Sequence, residues 1–513
     1  MPDARVTTLE GGLPSGLVDA VEAYEAALAA DDIAALADAF LDAPTTLRGD
    51  ASGLLVGHAA ITGFRGRRGG APARELVEVH VRAIDADTAL VVSVNAPAHG
   101  GRGLVTQLWM REGGTWRVRA AQVQAPAQAL DPRVWRAVGA PLVPAAGAGV
   151  LNGVDVAVKD VFAIKGQRIG AGVPAYLAAA PIESATAPAV GHLLRAGATV
   201  RGIAQTDEFA YSIAGRNSGY GTPPNPAVPG AIPGGSSSGP ATAVSLGQAA
   251  IGLATDTAGS IRVPASYQGL WGLRTTHGVV SVEGLLPLAP SFDTVGWLTR
   301  DLGTLQRVAD ICLPPSPSIR GVVVAPALLD GVDAGVGAAF RAAVEGLNPD
   351  QVALPPVAAM LEAFRLVQAA EAWRSSGGWV AAHPGVLAAD VQARFDAASL
   401  VEAKAEAVAR ARVAGFREAL DAALDGRVLL LPSTSSVAPA LDASAETIDA
   451  ARTATLGLTC IAGIGGYPAL SMPGLSADGA PVGLCLVGPR GADLALLELA
   501  AGWERDREPR TEN

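Results

Sequence analysis

Several protein classes depend on residues that this sequence has in short supply. Its three cysteines are far apart and form no CxxC pair: Cys312, Cys460 and Cys485. Neither a disulfide framework nor a zinc site is therefore indicated. The six histidines form no HExxH pair or other ligand spacing, so we predict no metal site and no cofactor.

Positive charge and long apolar runs are also scarce. The formal net charge is -11, which argues against a nucleic-acid-binding surface. No uninterrupted apolar run of about 18 residues occurs, so we predict no membrane span. The opening residues, MPDARVTTLEGG, lack the basic and apolar regions of a secretory signal. Together these absences predict a cytoplasmic protein with neither nucleic-acid nor membrane partners.

What remains is the composition of a folded protein, with half of its residues hydrophobic, and the length predicts two or three domains. Residues 1–127 place a helical pattern before four strand-like segments, which predicts a small α+β domain. A Pro/Ala/Gly-rich stretch, 128–150, is interpreted as a linker. Residues 151–505 alternate strand-like and helix-like runs, as α/β domains do, and 506–513 form a charged tail.

Three serines between glycines stand out in the larger domain, in the segment IPGGSSSGPATA at 232–243. Composition alone is typical of a flexible linker. However, a second small-residue loop, ATDTAGSIRVPAS, places Ser260 24 residues after Ser236, and Lys159 ends the strand-like run VDVAVK. One lysine and two loop serines indicate a hydrolase that needs no histidine.

The chemistry of such a set is specific. A serine hydroxyl is a weak nucleophile until a base removes its proton, and a lysine can be that base only when neutral. Burial lowers the pKa of a lysine because it disfavours the ammonium form. Glycines beside the nucleophile leave backbone amides free to face an oxyanion, each worth about 3 kcal/mol in the transition state.

These segments resemble the amidase signature family. The matching passages include PGGSSSGPATAV, TDEFAYSIAGRNSGYGTPPNP, SFDTVGWLTRD and LLLPSTSSVAP, spread over about 151–497. The resemblance implies an α/β amidase signature fold, a mixed sheet covered by helices. It also implies a Ser–cis-Ser–Lys triad, in which Lys159 is the base, Ser236 the bridging cis-serine and Ser260 the nucleophile. The implied oxyanion hole is formed by the backbone amides of Thr257, Ala258, Gly259 and Ser260.

Other polar residues near these motifs are interpreted as structural. Asp207 and Glu208 lie in the TDEF segment, where capping and loop hydrogen bonds are common roles. Asp256 is expected to scaffold the loop before Ser260, with Arg262 as its partner. His277 is expected to have a structural role in the turn LRTTHG.

The first domain resembles the cone-shaped family of nuclear transport factor two and ketosteroid isomerase, and within it the dicarboxyurea-hydrolysing proteins. The match rests on AYEAALAADDIAALADAFLDAPTTLRGD and LVGHAAITGFRGRR. It implies that Tyr24 and Arg48 face a pocket, and Arg65 is a further anion-binding candidate. Gly49–Asp50 departs from the family, which has an aromatic residue and a glycine there.

The resemblances predict an amide C–N hydrolase acting on a small amide or urea-like molecule. Indoleacetamide-like and allophanate hydrolase-like cues disagree about the substrate. The alternatives are an ammonia-releasing amidotransferase subunit and a non-catalytic amidase-fold binding protein. The first domain is either a second hydrolase for carboxylated urea compounds or a lid or pairing module, and a homodimer is one expected form.

Overall fold

The strand-like segments of the first 130 residues form one curved sheet. The structure, a computed structural model, describes residues 5–10, 12–50, 53–68, 74–97, 103–124 and 130–507. The chain divides into two units, one up to residue 130 and the other from residue 131. The predicted boundary at residue 127 lies outside the described residues, as do residues 508–513 of the predicted tail, whereas residues 506 and 507 belong to the last helix.

The first unit has seven strands in the order β1-β4-β5-β6-β7-β2-β3. The strands are β1 (Arg5–Glu10), β2 (Leu47–Asp50), β3 (Gly53–Val56), β4 (Arg74–Ala83), β5 (Thr88–Pro97), β6 (Gly103–Glu112) and β7 (Thr115–Gln124). The helices are α1 (Leu17–Ala29), α2 (Ile33–Asp38) and α3 (His58–Arg68). The predicted α+β domain is therefore confirmed.

Helical spacing explains the core of this unit. Leu17, Val21, Tyr24 and Leu28 share one face of α1 and are buried, as a period of 3.6 residues requires. Helix α2 begins because the Asp32 side chain accepts a hydrogen bond from the Ala35 amide, an ordinary N-cap.

The second unit is built on an 11-stranded mixed sheet in the order β15-β14-β16-β18-β17-β12-β13-β11-β9-β10-β8. Its strands are β8 (Trp135–Val143), β9 (Asp155–Lys159), β10 (Thr199–Ala204), β11 (Ile251–Asp256), β12 (Trp271–Arg274), β13 (Thr294–Thr299), β14 (Val322–Val324), β15 (Asp350–Gln351), β16 (Val428–Pro432), β17 (Ala469–Ala477) and β18 (Ala480–Val487).

Helices cover both faces of this sheet. They are α4 (Pro174–Ala179), α5 (Pro188–Arg195), α6 (Ser238–Ser245), α7 (Arg262–Tyr267), α8 (Leu302–Cys312), α9 (Ala334–Glu345), α10 (Val357–Ala372), α11 (Gly378–Ala382), α12 (Ala389–Ser399), α13 (Ala403–Leu424), α14 (Ala445–Gly465) and α15 (Asp493–Arg507). No described helix is both long enough and apolar enough to cross a membrane.

The continuous apolar run of β16 shows why both faces are covered. Val428 and Leu430 pack in one core with helices α5, α8, α9 and α15. Leu429 and Leu431 pack in the other, with helices α10, α12, α13 and α14. Successive strand residues point to opposite faces, so a strand with both faces covered is apolar at every position.

The structure corrects the interpretation of residues 128–150 as a linker. Strand β8 lies within that stretch and pairs antiparallel with β10, and Trp135 is buried, its indole nitrogen donating to the side chain of Gln248. Pro141 obscured the strand, yet β8 is the last strand of the sheet. Proline costs little on an edge, where one side of the strand forms no ladder.

We expect Gly296→Ala to destabilise the second unit. A Cβ at Gly296 in β13 would lie 1.9 Å from the Leu273 carbonyl oxygen, so the strands must separate, at a cost of about 1–3 kcal/mol. A matched control is Gly415→Ala in α13, where a Cβ meets nothing within 4 Å and helix propensity favours alanine by about 1 kcal/mol. Calorimetry should show a lower unfolding temperature only for Gly296→Ala; equal temperatures contradict this account of the sheet.

Candidate active site

The Lys159 side chain is fully buried at the end of β9. Its Nζ donates to Ser236 Oγ at 2.8 Å and to Thr255 Oγ1 at 2.8 Å. The lysine therefore meets two hydroxyls, one from the glycine–serine loop and one from the neighbouring strand β11. The predicted base and bridging serine are brought into direct contact.

Burial dominates the protonation of Lys159. It lowers the pKa of the lysine to about 7, although the carboxylates of Asp207, Asp256 and Asp293 oppose this effect. Transfer of an ammonium group out of water disfavours its charged form. Near neutral pH a substantial fraction of this amine is therefore uncharged and able to accept a proton.

Ser236 follows a cis peptide bond from Gly235. Its carbonyl oxygen accepts hydrogen bonds from Thr206 Oγ1 at 2.9 Å and from the Asp207 amide at 3.2 Å. A Cβ at Gly235 would lie 2.3 Å from Asp207 Oδ2. Glycine at that position therefore allows the loop to approach the Asp207 carboxylate closely.

The other two serines of the run support this loop. Ser237 Oγ donates to the Thr255 carbonyl at 3.2 Å, and Ser238 Oγ donates to Asp207 Oδ1 at 3.0 Å. Burial raises the pKa of Asp207 to about 6. The serine run is thus a buried, hydrogen-bonded segment at the start of α6, and the linker interpretation does not apply.

Ser260 lies on the loop between β11 and α7 and is 3% exposed. The Ser237 amide donates to the Ser260 carbonyl oxygen at 3.3 Å, which joins this loop to the glycine–serine loop. The loop that carries the predicted nucleophile is therefore adjacent to the loop that carries Ser236.

The predicted oxyanion hole needs one correction. The Gly259 amide donates to Asp256 Oδ1 at 2.8 Å, so it is committed to the loop and is not free for an oxyanion. The amides of Thr257, Ala258 and Ser260 donate to no acceptor among the residues that the structure describes. These three backbone donors remain available.

Asp256 anchors the whole loop, as the sequence predicts. Its carboxylate accepts from Arg262 Nε at 3.0 Å, Arg262 Nη2 at 2.9 Å and Arg274 Nη1 at 3.2 Å. Burial alone would raise its pKa, but the two guanidinium groups hold it well below its usual range. The ion pairs are completely buried, so removal of one partner would leave an uncompensated charge.

Two threonines near the site were missed from the sequence. Thr255 accepts a hydrogen bond from Lys159, and Thr459 Oγ1 in α14 donates to the Ala258 carbonyl at 2.7 Å. Thr255 lies five residues before Ser260 in ATDTAGS, so its nearness to the serine was a usable signal. Nothing local marks Thr459, which is about 200 residues away.

Two of the remaining residues have structural contacts. Glu208 accepts a hydrogen bond from the Ala388 amide at 2.7 Å, and one ring nitrogen of His277 lies 2.9 Å from the Pro290 carbonyl oxygen. Burial raises the pKa of Cys460 to about 12, so this thiol is inert. No group of three or more metal-ligating side chains comes together within the described ranges.

In the first unit, the two predicted pocket residues are buried and have different hydrogen-bond partners. Tyr24 OH accepts a hydrogen bond from Arg65 Nη2 at 3.0 Å. Arg48 Nη1 instead donates to Asp50 Oδ2 at 2.7 Å, and its guanidinium lies 4.5 Å from the Phe64 ring centroid. The family departure at Asp50 thus supplies a counter-charge for Arg48.

Comparison with known proteins places this geometry in a family. A family model described as Amidase matches residues 140–334, and one described as AtzH-like matches residues 14–128. Amidase 1 of Arabidopsis thaliana is 33% identical over 391 residues, an alignment that covers 68% of this chain and 92% of that protein. The chain belongs to the amidase family. It is an enzyme that hydrolyses amide C–N bonds, and an AtzH-like domain precedes its amidase domain.

Two further similarities support the assignment. A 2-amino-5-chloromuconic acid deaminase from Comamonas testosteroni is 35% identical over 393 residues, covering 69% of this chain and 82% of that protein. A crystal structure of an amidase is 32% identical with a TM-score of 0.63, covering 70% of this chain and 85% of the other. The predicted amidase fold and amide-hydrolysing activity are confirmed.

Proposed function

We propose that this amidase acts through an acyl-enzyme on Ser260, with Ser236 and Lys159 as its proton relay. The observation that carries the proposal is the 2.8 Å contact between the buried Lys159 Nζ and Ser236 Oγ. A neutral amine beside a hydroxyl, with a second serine on the adjoining loop, is the arrangement that serine activation without histidine requires. The substrate is a small amide.

The proposed steps balance in protons. Ser260 Oγ attacks the amide carbonyl carbon, its proton passes to Ser236 Oγ, and the proton of Ser236 passes to Lys159 Nζ. The C–N bond then breaks as Ser236 gives a proton to the leaving nitrogen and is reprotonated by Lys159. A water molecule attacks the ester along the same relay and releases the carboxylic acid.

The oxyanion of both tetrahedral intermediates would be held by the free backbone amides of Thr257, Ala258 and Ser260. One such donor is typically worth about 3 kcal/mol in the transition state. The support for this role is the absence of a competing acceptor for these amides in the described part of the chain. Because they belong to a loop anchored by Asp256, they need little reorganisation during the reaction.

We expect Ser260→Ala to lower kcat for a hydrolysed amide by about four orders of magnitude and to abolish the acyl-enzyme seen by mass spectrometry. Ser281→Ala, at an exposed serine, is the matched control and should keep both. The amidotransferase alternative also uses the acyl-enzyme, but it predicts transfer of ammonia to a charged transfer RNA. Undiminished ammonia release by Ser260→Ala rejects the proposed nucleophile.

The pH dependence tests the role of Lys159. Because the base acts only when deprotonated and its pKa is about 7, kcat/KM should be level above pH 7 and fall about tenfold per unit below it. Lys159→Met should be inactive across the range. Lys404→Met, at an exposed lysine, should reproduce the wild-type profile; a rate independent of pH between 5 and 8 contradicts a lysine base.

For the AtzH-like domain we propose a second hydrolytic site for carboxylated urea compounds, centred on Tyr24 and Arg48. The support is the buried guanidinium group of Arg48, because a planar guanidinium can form two parallel hydrogen bonds with a carboxylate. Because Asp50 already pairs with Arg48, the second candidate is a pairing role, in which two copies form a homodimer through the sheet of this domain. We also propose that the protein is cytoplasmic.

The full chain carrying Ser260→Ala separates these roles, because its amidase site is silent. We expect it to convert dicarboxyurea, and the added change Arg48→Ala to reduce that rate at least tenfold, as loss of a charged hydrogen bond does. Arg320→Met in the amidase domain is the control for loss of one positive charge. No conversion by the Ser260→Ala chain eliminates the second hydrolase and leaves the pairing role.

A further inference from the structure

A cleft of about 1090 Å³ in the second unit is lined by arginines. Its walls come from the loop at 211–217 and from helices α10, α12 and α14. Four guanidinium groups contribute to it: Arg216, Arg365, Arg394 and Arg452. In a protein with a net charge of -11, such a concentration of positive charge in one concave surface requires an explanation.

Arg452 is the most deeply placed of the four. Its side chain is 9% exposed, and the nearest carboxylate oxygen, of Asp449, is 3.8 Å from Nη1. Its buried Nε has no hydrogen-bond partner among the residues that the structure describes. Burial, with the nearby charges of Arg394 and Arg365, lowers its pKa to about 9. A desolvated cation with open donors is a poor structural element and a good anion site.

The neighbouring arginines strengthen this field. Arg394 Nη1 donates to the Tyr211 carbonyl oxygen at 3.0 Å, and Nη2 contacts Asp390 at 2.7 Å. Arg365 has no ion pair with any described residue. Both lie close enough to influence Tyr211 and Arg452 electrostatically. Arg365, Arg394 and Arg452 are therefore neighbouring cations in the wall of the cleft.

The acidic side chains of the cleft reduce this positive charge but leave it positive. Asp390, Asp449 and Glu362 are 61%, 68% and 61% exposed, so water screens them. Glu362 is also paired with Arg412 at 2.9 Å. Four arginines against three carboxylates leave a single positive charge on the lining, which suits a singly charged anion.

The cleft shares its supporting elements with the proposed relay. The Gly235 amide, one residue before Ser236, donates to the Ile213 carbonyl in the cleft loop. In α14, Arg452 precedes Thr459 by seven residues, which places both on one helix face about 10 Å apart. Thr459 bonds the Ala258 carbonyl of the nucleophile loop. Helix α14 therefore connects Arg452 of the cleft to the loop that carries Ser260.

We infer that this cleft binds a carboxylate of the substrate, with Arg452 as its central partner. The inference rests on the proposed function and specifies its substrate class, an amide with a carboxylate several bonds from the scissile C–N bond. Guanidinium groups hold carboxylates through paired N–H donors, and the open Nε of Arg452 supplies one of them. Binding of the acid end would position the amide carbonyl beside Ser260.

The test uses the full chain and the monoamides of unbranched dicarboxylic acids, from malonic to suberic, each beside the neutral diamide of the same length. Wild type should give a higher kcat/KM for at least one monoamide than for its diamide. Arg452→Met should lower that monoamide-to-diamide ratio about 10- to 100-fold, as loss of a charged hydrogen bond does. Arg320→Met, at an exposed arginine outside the cleft, should leave the ratio unchanged.

Failure of this inference is distinct from failure of the proposed function. Ser260-dependent ammonia release from diamides, without preference for any monoamide, overturns the carboxylate site and leaves the relay intact. If no amide is hydrolysed, calorimetric titration of adipate into the Ser260→Ala chain still decides, with at least tenfold weaker binding expected after Arg452→Met. Arg365→Gln, at an exposed position, provides a second variant should Arg452→Met fold poorly; equal adipate binding in all chains rejects the site.

Discussion

The burial of the Lys159 amine is the constraint on which the proposed proton relay depends. Lys159 ends an interior strand, so the sheet itself, rather than a mobile loop, keeps its nitrogen out of solvent. Its hydrogen bonds run to two neutral hydroxyls, Ser236 and Thr255, and to no carboxylate. A carboxylate in direct contact would stabilise the ammonium form of Lys159 and prevent its proposed role as a base. The buried carboxylates near Lys159 must therefore be placed without such a contact.

Asp256 shows how a buried carboxylate near Lys159 avoids direct contact with the amine. Its negative charge is close enough to Lys159 to raise the lysine pKa, yet its oxygens are occupied by Arg262 and Arg274 and by loop amides. The loop that carries Ser260 is therefore held by a buried ion cluster, in which two arginines pair with the Asp256 carboxylate. The same ion pairs hold the loop of the proposed nucleophile and limit the effect of the Asp256 carboxylate on the pKa of Lys159, the proposed base.

Sequence reasoning predicted the elements and site residues that local patterns or family motifs specify. Periodicity predicted strands β4–β7, because its cause lies within a few residues. Strand β8 was not predicted, because among the described strands it pairs with β10 alone, about 60 residues later. Its proline is also typical of a linker. Commitment of the Gly259 amide to Asp256 depends on the folded path of the loop, and composition does not report it. The arginines of the cleft are separated by up to 236 positions, so only folding brings them together.

The chain order of these parts has a consequence for how the enzyme can change. Lys159 and both serines belong to strands and loops before residue 261, whereas half of the residues that line the cleft lie in α10 and α12, within the helical excursion between β15 and β16. Glu208 fastens that excursion to the core through the Ala388 amide. Recombination across this excursion would therefore exchange Arg365 and Arg394 of the cleft while conserving Arg452 in α14 and the residues of the proposed relay.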